Sequence, residues 1–299
     1  MGEAAHVNVR PFVEEDAPTV AALISAEEER LYGRPGRLTG ADILMFLQYS
    51  KESWVWEEDG RVVASASYGV HGEAANTRGI VADKGRGLGT EIVERGEAFA
   101  RAEGMKRIQA GAPEPDAAAR ALFEAHGYRE VRRFYEMAID LTEEPPAPVL
   151  PAGLVLDELS EDEYEAFYNA LNEAFAEHWE WHPDPYDEWL ERRNGQHRDE
   201  HGPVWFVVRD GDEIAAVTRN DLSVAGGGYV GAIGVRPPWR GRGLGKALLL
   251  RTFGEFWRRG STRVTLDVDS ENTTGAVALY ERVGMHVDSC AVAFEKTTD

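Results

Sequence analysis

The chain has 299 residues, 43% of them apolar and 28% charged, with a formal net charge of −21. That length suits two domains or one large one with a full core, and the acidic balance argues against a general nucleic-acid binder, which would carry a basic face. The lone cysteine, Cys290, excludes an internal disulfide, no Cys/His spacing suits a metal, and neither a leader pattern nor an apolar run near ~18 residues is present, so a soluble, cytoplasmic protein outside the membrane is expected.

Residues His6 to Phe12 alternate like a strand, and Glu14 to Glu29 place Ala17, Val20, Ala21 and Ile24 at helical spacing. Ala41 to Tyr49 is a second helical stretch. Trp54 to Glu57 and Arg61 to Tyr68, joined at Asp59-Gly60, predict a β-hairpin. A strand ending at Ile80-Val81 leads through Lys84-Gly85-Arg86-Gly87-Leu88-Gly89 into a helix reaching Glu103. Lys106 to Ala110 is the next strand, Asp116 to His126 a helix, and Tyr128 to Leu141 the closing strands. Four prolines between Pro145 and Pro151 then form a semi-rigid linker.

The second half repeats the first. Leu154 to Asp157 is a strand, and Glu161 to Glu177 a helix with Tyr164, Phe167, Leu171 and Phe175 as its apolar stripe. More helix covers Asp187 to Arg198. A hairpin joins Val204–Arg209 to Glu213–Asn220 through Asp210-Gly211. Gly228 to Val235, a helix from Gly245 to Arg259, a strand from Arg263 to Val268, a helix from Asn272 to Val283, and strands from Met285 to Glu295 complete it. Gly85 to Gly89 is identical to Gly241 to Gly245 at an offset of 156 residues, and Ala119, Leu122, Phe123 and Gly127 match Ala276, Leu279, Tyr280 and Gly284 at an offset of 157. A period this long means tandem domains rather than a solenoid. The expected boundaries are 1–142, a linker at 143–152, and 153–299.

Chemistry concentrates where Ile233 and Val235 end a buried strand, Pro237 and Pro238 break it, and Arg240-Gly241-Arg242-Gly243-Leu244-Gly245-Lys246 opens a helix. Glycines let a ligand lie against the main chain. The unpaired N–H groups of a first helical turn, at the positive end of its dipole, suit a pyrophosphate. A Walker A loop would require a glycine at 240, where arginine stands, and Ser or Thr at 247, where alanine stands. A Rossmann fingerprint would open its domain rather than follow a hairpin-rich run.

These residues resemble those of the GNAT superfamily of N-acetyltransferases. The family's phosphate loop, an Arg or Gln, two spaces and then Gly-x-Gly or Gly-x-Ala, stands here as Arg240 to Gly245 after a Val-x-Pro corner at Val235-Arg236-Pro237. Its second signature stands as Asn272, Ala276, Leu279-Tyr280 and Gly284. The resemblance spans 153–295 and, less closely, 5–141, in a layout like tandem GNAT proteins of the mycothiol synthase kind. It implies an α/β (α+β) fold of two GNAT-like domains, each a mostly antiparallel sheet with a central splayed parallel pair and flanking helices. It also implies acetyl-CoA as co-substrate and no metal. The loop from Arg240 to Lys246 would bind the pyrophosphate, the backbone of Ile233 and Val235 would pair with the pantetheine, Asn272 would touch the cofactor, and Tyr280 would protonate the departing thiolate. A phenol, with a reference pKa of about 10, holds a proton to give at pH 7.

The N-terminal copy departs from this pattern: Phe123 replaces the tyrosine, Pro115 replaces the asparagine, and its loop is shorter and has lost the proline corner. It is expected to be degenerate, a scaffold or at most a binder of acetyl-CoA. Transfer to an amine also needs a base. Glu173, Glu177, His178 and Glu180, among the aromatics of 173–188, and Asp221 are the candidates, and acidic and aromatic walls suit a cationic acceptor. The expected function is therefore direct acetyl transfer to a primary amine of a small molecule by a monomer or homodimer without nucleic-acid or membrane partners. A cysteinyl amino-sugar acceptor and a non-catalytic acetyl-CoA sensor are the alternatives.

Overall fold

The structure, a computed structural model, describes residues 7–196, 204–224 and 226–298. His6 and Arg198, the ends of two expected elements, lie outside the described residues. In chain order the elements are β1 (Val7–Pro11), α1 (Ala17–Tyr32), α2 (Gly40–Leu47), β2 (Glu52–Glu58), β3 (Arg61–His71), β4 (Ala74–Val81), α3 (Leu88–Ala102), β5 (Arg107–Pro113), α4 (Ala117–Ala125) and β6 (Arg129–Asp140). The second series is β7 (Leu154–Glu158), α5 (Tyr164–Phe175), α6 (Tyr186–Gln196), β8 (Phe206–Asp210), β9 (Glu213–Val224), β10 (Gly227–Val235), α7 (Leu244–Arg258), β11 (Arg263–Asp269), α8 (Ala276–Arg282) and β12 (His286–Thr297). No helix among the described residues is long and apolar enough to cross a membrane.

Local chemistry accounts for most boundaries. Asp59 and Gly60 both take positive φ, the geometry a two-residue hairpin requires, so β2 and β3 close tightly. The second hairpin turns one residue later than expected: Asp210 pairs with Glu213, and Gly211, at φ +60°, leads the turn. Asp116 caps α4 by accepting a hydrogen bond from the Ala119 N–H at 3.0 Å. Helix α8 begins at Ala276 rather than Asn272, because Asn272 Oδ1 accepts from Thr274 N and Oγ1 and holds 272–275 as a turn.

Two compact units result, Met1–Phe134 with Ser289–Asp299 and Tyr135–Asp288. Their limits fall inside β6 and β12 rather than in the proline-rich stretch, which carries no regular structure. In the first unit β1 to β5 follow one another across the sheet, and the C-terminal strand β12 closes it by pairing Ala291–Thr297 antiparallel to Arg107–Pro113. Val292 and Phe294 are 1% exposed and fill the core around Trp56, Tyr68 and Ile108. In the second unit the sheet runs from the end of β6 through β11, β10, β9 and β8 to β7, and Met137 of β6 enters the core around Phe253 and Phe256. The closing strands of the two repeats are thus exchanged. Each brings alternate apolar residues to a core that its own repeat leaves open, and burying one such side chain contributes about 1.5–3 kcal/mol.

Candidate active site

The second unit builds its site on β10. Val230, Ile233 and Val235 pack into the core beneath α7, while Gly234 meets Ala174 and Phe175 at the end of α5, so the strand is covered on both faces. β10 pairs antiparallel with β9 along its length, but parallel with β11 only at Gly228–Val264 and Tyr229–Thr265. Past those pairs the two parallel strands no longer bond to each other. One edge of Ile233 and Val235 is left without a ladder, and such backbone groups call for another partner.

Pro237–Trp239 then make a short turn, and Gly241 and Gly243 follow at φ +76° and +84°, angles that only glycine adopts without strain. Gly243 caps α7 without a side-chain bond, and the first intrahelical bond runs from Ala247 N to Gly243 O at 3.1 Å. The N–H groups of Leu244, Gly245 and Lys246 therefore have no acceptor within the helix. Gly245 serves differently from the other two. A β-carbon there would sit 2.8 Å from Leu279 Cδ2, so its need is close approach of α7 to α8 rather than an unusual φ.

The loop arginines turn out to be partly spoken for. Arg240 donates to Glu177 Oε2 at 2.6 Å, to Val235 O at 3.2 Å and to Ala174 O at 3.3 Å, tying the loop to the ends of β10 and α5. Arg242 lies 3.6 Å from Asp210, which also accepts from Trp239 Nε1. Lys246 is exposed on the first turn. The anion site thus rests on helix amides, with Lys246 as the cation beside them.

The expected base candidates separate. Glu173 accepts from Arg236 Nε at 2.7 Å and Glu177 from Arg240, so both carboxylates brace the loop. Glu180, at φ +54°, lies 3.3 Å from His182 Nε2. His178 packs on Phe175 with ring centroids 4.3 Å apart. Desolvation lowers its pKa, Asp269 pulls it back up and Arg240 lowers it again, so the ring is neutral near pH 7. Asp221 stands on β9 directly opposite Tyr229 of β10.

Tyr280 is 6% exposed on α8, and burial raises its phenol well above the ordinary pKa, so it stays protonated at neutral pH. Asn272 uses its carbonyl oxygen on Thr274 and Ala276, which leaves Nδ2 as its donor. Three residues that motif reasoning missed lie on the strands beside this site. Tyr229 Oη donates to Asp267 Oδ2 at 2.9 Å, and Arg219 lies over Gly231. Their signal was present as polar positions in the period-two pattern of β9, β10 and β11, but only the register brings them together.

The first unit repeats the backbone without the chemistry. Gly85 and Gly87 stand at φ +83° and +85°, Glu91 N bonds Gly87 O at 3.1 Å, and a β-carbon on Gly89 would meet Leu122 at 2.9 Å. Lys84 donates to Glu27 and Asp116, both at 2.6 Å, and Arg86 forks onto Glu58 at 2.8 and 2.5 Å, so these loop cations are neutralised within the unit. A cavity of about 820 Å³ with mostly apolar walls lies behind the loop. Phe123 borders it and packs on Phe294 and Tyr128, with no proton to offer.

The sequence model of the acetyltransferase (GNAT) family matches residues 20–128 and again 164–285. The mycothiol acetyltransferase of Thermobifida fusca is 29% identical over 259 residues, spanning 79% of this chain and 79% of that one. That of Streptomyces scabiei is 30% identical over 254 residues, 82% of this chain and 73% of its own. A GCN5-related N-acetyltransferase from Sphaerobacter thermophilus superposes with a TM-score of 0.82 at 31% identity, covering 98% of this chain and 96% of that one. A tandem GNAT protein from the clavulanic acid biosynthesis pathway shares the fold, with a TM-score of 0.76 at 19% identity over 98% and 99% of the two chains. The chain therefore belongs to the GNAT family of acetyltransferases and carries two copies of the family's domain in tandem.

Proposed function

We propose that the second unit carries the activity, transferring acetyl from acetyl-CoA directly to the amine of a small molecule. The observation that carries this is the asymmetry on matching helices: a buried, protonated phenol at Tyr280, and Phe123 in its place in the first unit. The groups present fit the co-substrate. Three helix amides and Lys246 suit a pyrophosphate, and the unladdered edge of Ile233 and Val235 suits the amides of a pantetheine arm. Tyr280 would give its proton to the leaving thiolate, with Asn272 Nδ2 as a further donor to the co-substrate. The test is thiol release from acetyl-CoA over a panel of polyamines, amino sugars, amino acids and a cysteinyl amino-sugar, the last being the acceptor class to which the mycothiol acetyltransferase likeness points. Acetyl-CoA binding without turnover on any of them would defeat the proposal in favour of a sensor.

On the same reading the first unit supports the fold without turning over substrate. Its loop cations hold internal carboxylates, as Arg240 and Arg242 do in the second unit, but Thr90 stands where the second loop keeps Lys246 exposed beside the helix amides. Titration calorimetry with acetyl-CoA is expected to give a stoichiometry of about one per chain, from counting one competent loop. A value near two would show that the first loop binds as well.

A further inference from the structure

Arg219 is the unusual cation of the second unit. Half-buried on β9, it makes no hydrogen bond or ion pair among the described residues, and its Nε is inaccessible and unpartnered. In a chain with a net charge of −21, the neighbouring arginines of this unit, Arg236, Arg240, Arg251 and Arg263, all hold carboxylates. An unpaired guanidinium held by its stem is costly unless something brings it an acceptor.

What surrounds it defines the rest of a pocket. Tyr229 and Asp221 are cross-strand partners and share one sheet face. Gly231 lies on that face too: a β-carbon there would come 3.2 Å from Asp221 Oδ2 and 3.3 Å from Arg219 Nε and Nη2. Asp267 follows two residues after the last β10–β11 pair, where the parallel strands part. Its Oδ2 accepts from Tyr229, and its Oδ1 carries no hydrogen bond among the described residues. Carboxylates and an open guanidinium therefore stand together beside the gap between β10 and β11.

We propose that this face is the acceptor pocket and that its substrate is an amino-carboxylate, with its ammonium at Asp267 and its carboxylate on the outer Nη edge of Arg219. The proposal rests on the second unit being the one that transfers acetyl. The planar guanidinium edge matches a carboxylate with two parallel hydrogen bonds, which a hydroxyl would not fill. Asp267 Oδ1 takes one proton from the ammonium, and the freed nitrogen lone pair forms the C–N bond at the thioester carbonyl. The C–S bond breaks with its electron pair on sulfur, which takes the Tyr280 proton. The second amine proton restores Tyr280, and Asp267 returns its proton to solvent, so one proton is released per turnover. Tyr229 positions Asp267 through the 2.9 Å bond.

The experiment compares thiol release with glycine, β-alanine and 4-aminobutyrate against methylamine, ethylamine and propylamine, alongside acetyl-CoA titration of each variant. Wild type is expected to favour the amino acid of a matched pair by about tenfold or more in kcat/KM, the worth of hydrogen bonds to a charged group. Arg219→Gln should remove that preference, with the plain amine and acetyl-CoA affinity unchanged, and Arg219→Lys should restore part of it. Asp267→Asn should remove turnover on both members of a pair while acetyl-CoA still binds. A wild type that prefers plain amines, or an Arg219→Gln that lowers both members equally, overturns the proposal alone. Acetyl-CoA binding with no thiol release on this or the wider panel overturns the second unit as the transferase, and the pocket with it.

Discussion

Tyr280→Phe is expected to lower kcat by about 10²-fold or more, the usual worth of a positioned general acid, while acetyl-CoA affinity changes less than about twofold. The substitution removes one oxygen from a side chain 6% exposed and leaves the ring that Phe123 already presents on the matching helix, so the packing should survive. What is lost is the proton. Burial raises the Tyr280 phenol well above its ordinary pKa, so at neutral pH the group is a full donor and turnover should not fall through its ionisation. A departing thiolate would then have to take its proton from water. Steady-state kinetics with a parallel acetyl-CoA titration separates the outcomes: unchanged turnover removes Tyr280 from the chemistry, and a loss confined to affinity makes it a binding residue.

Glu255→Gln should destabilise the second unit by about 3 kcal/mol near neutral pH. Glu255 is 0% exposed in the middle of α7, the helix whose first turn forms the loop. Desolvation pushes its carboxyl up, but hydrogen bonds from Arg259, Arg251 and Arg258 outweigh that and hold it from 4.5 down to about 2. At 1.36 kcal/mol per pKa unit, that lowering is worth about 3 kcal/mol, in line with the ~3–5 kcal/mol lost on breaking a buried ion pair. Because the folded pKa is depressed, this stability is fully present above the unfolded value of 4.5 and is lost as pH falls through about 2. The urea midpoints of wild type and variant should therefore differ most above pH 4.5 and converge towards pH 2. A gap that stays constant over that range would mean the glutamate acts by shape alone.

Much of this was legible in the residues. Glycines at positive φ, prolines that end a ladder, and helical and alternating periods are local signals. They placed the strand–loop–helix of 228–259 and its near-copy, from a strand ending at Ile80-Val81 to a helix reaching Glu103, without knowledge of any long-range neighbour, and the internal repeat set Phe123 against Tyr280. They could not separate glycines needed for conformation, Gly241 and Gly243, from one needed for contact, Gly245, since that depends on where Leu279 lies. Nor could they show that Glu173 and Glu177 would be held by Arg236 and Arg240. An acidic helix face looks the same in sequence whether it meets solvent, substrate or an arginine.

The sequence by itself determined that two copies of one fold exist, that each presents a glycine loop at a helix start, and that one copy has a phenol where the other has a plain ring. Tertiary structure alone decided which closing strand completes which unit. It also decided that Tyr229, Asp267 and Arg219 share one face. Such pairings are fixed by the register between strands far apart in the chain, and alternation reports the face of a side chain but not its neighbour across the sheet.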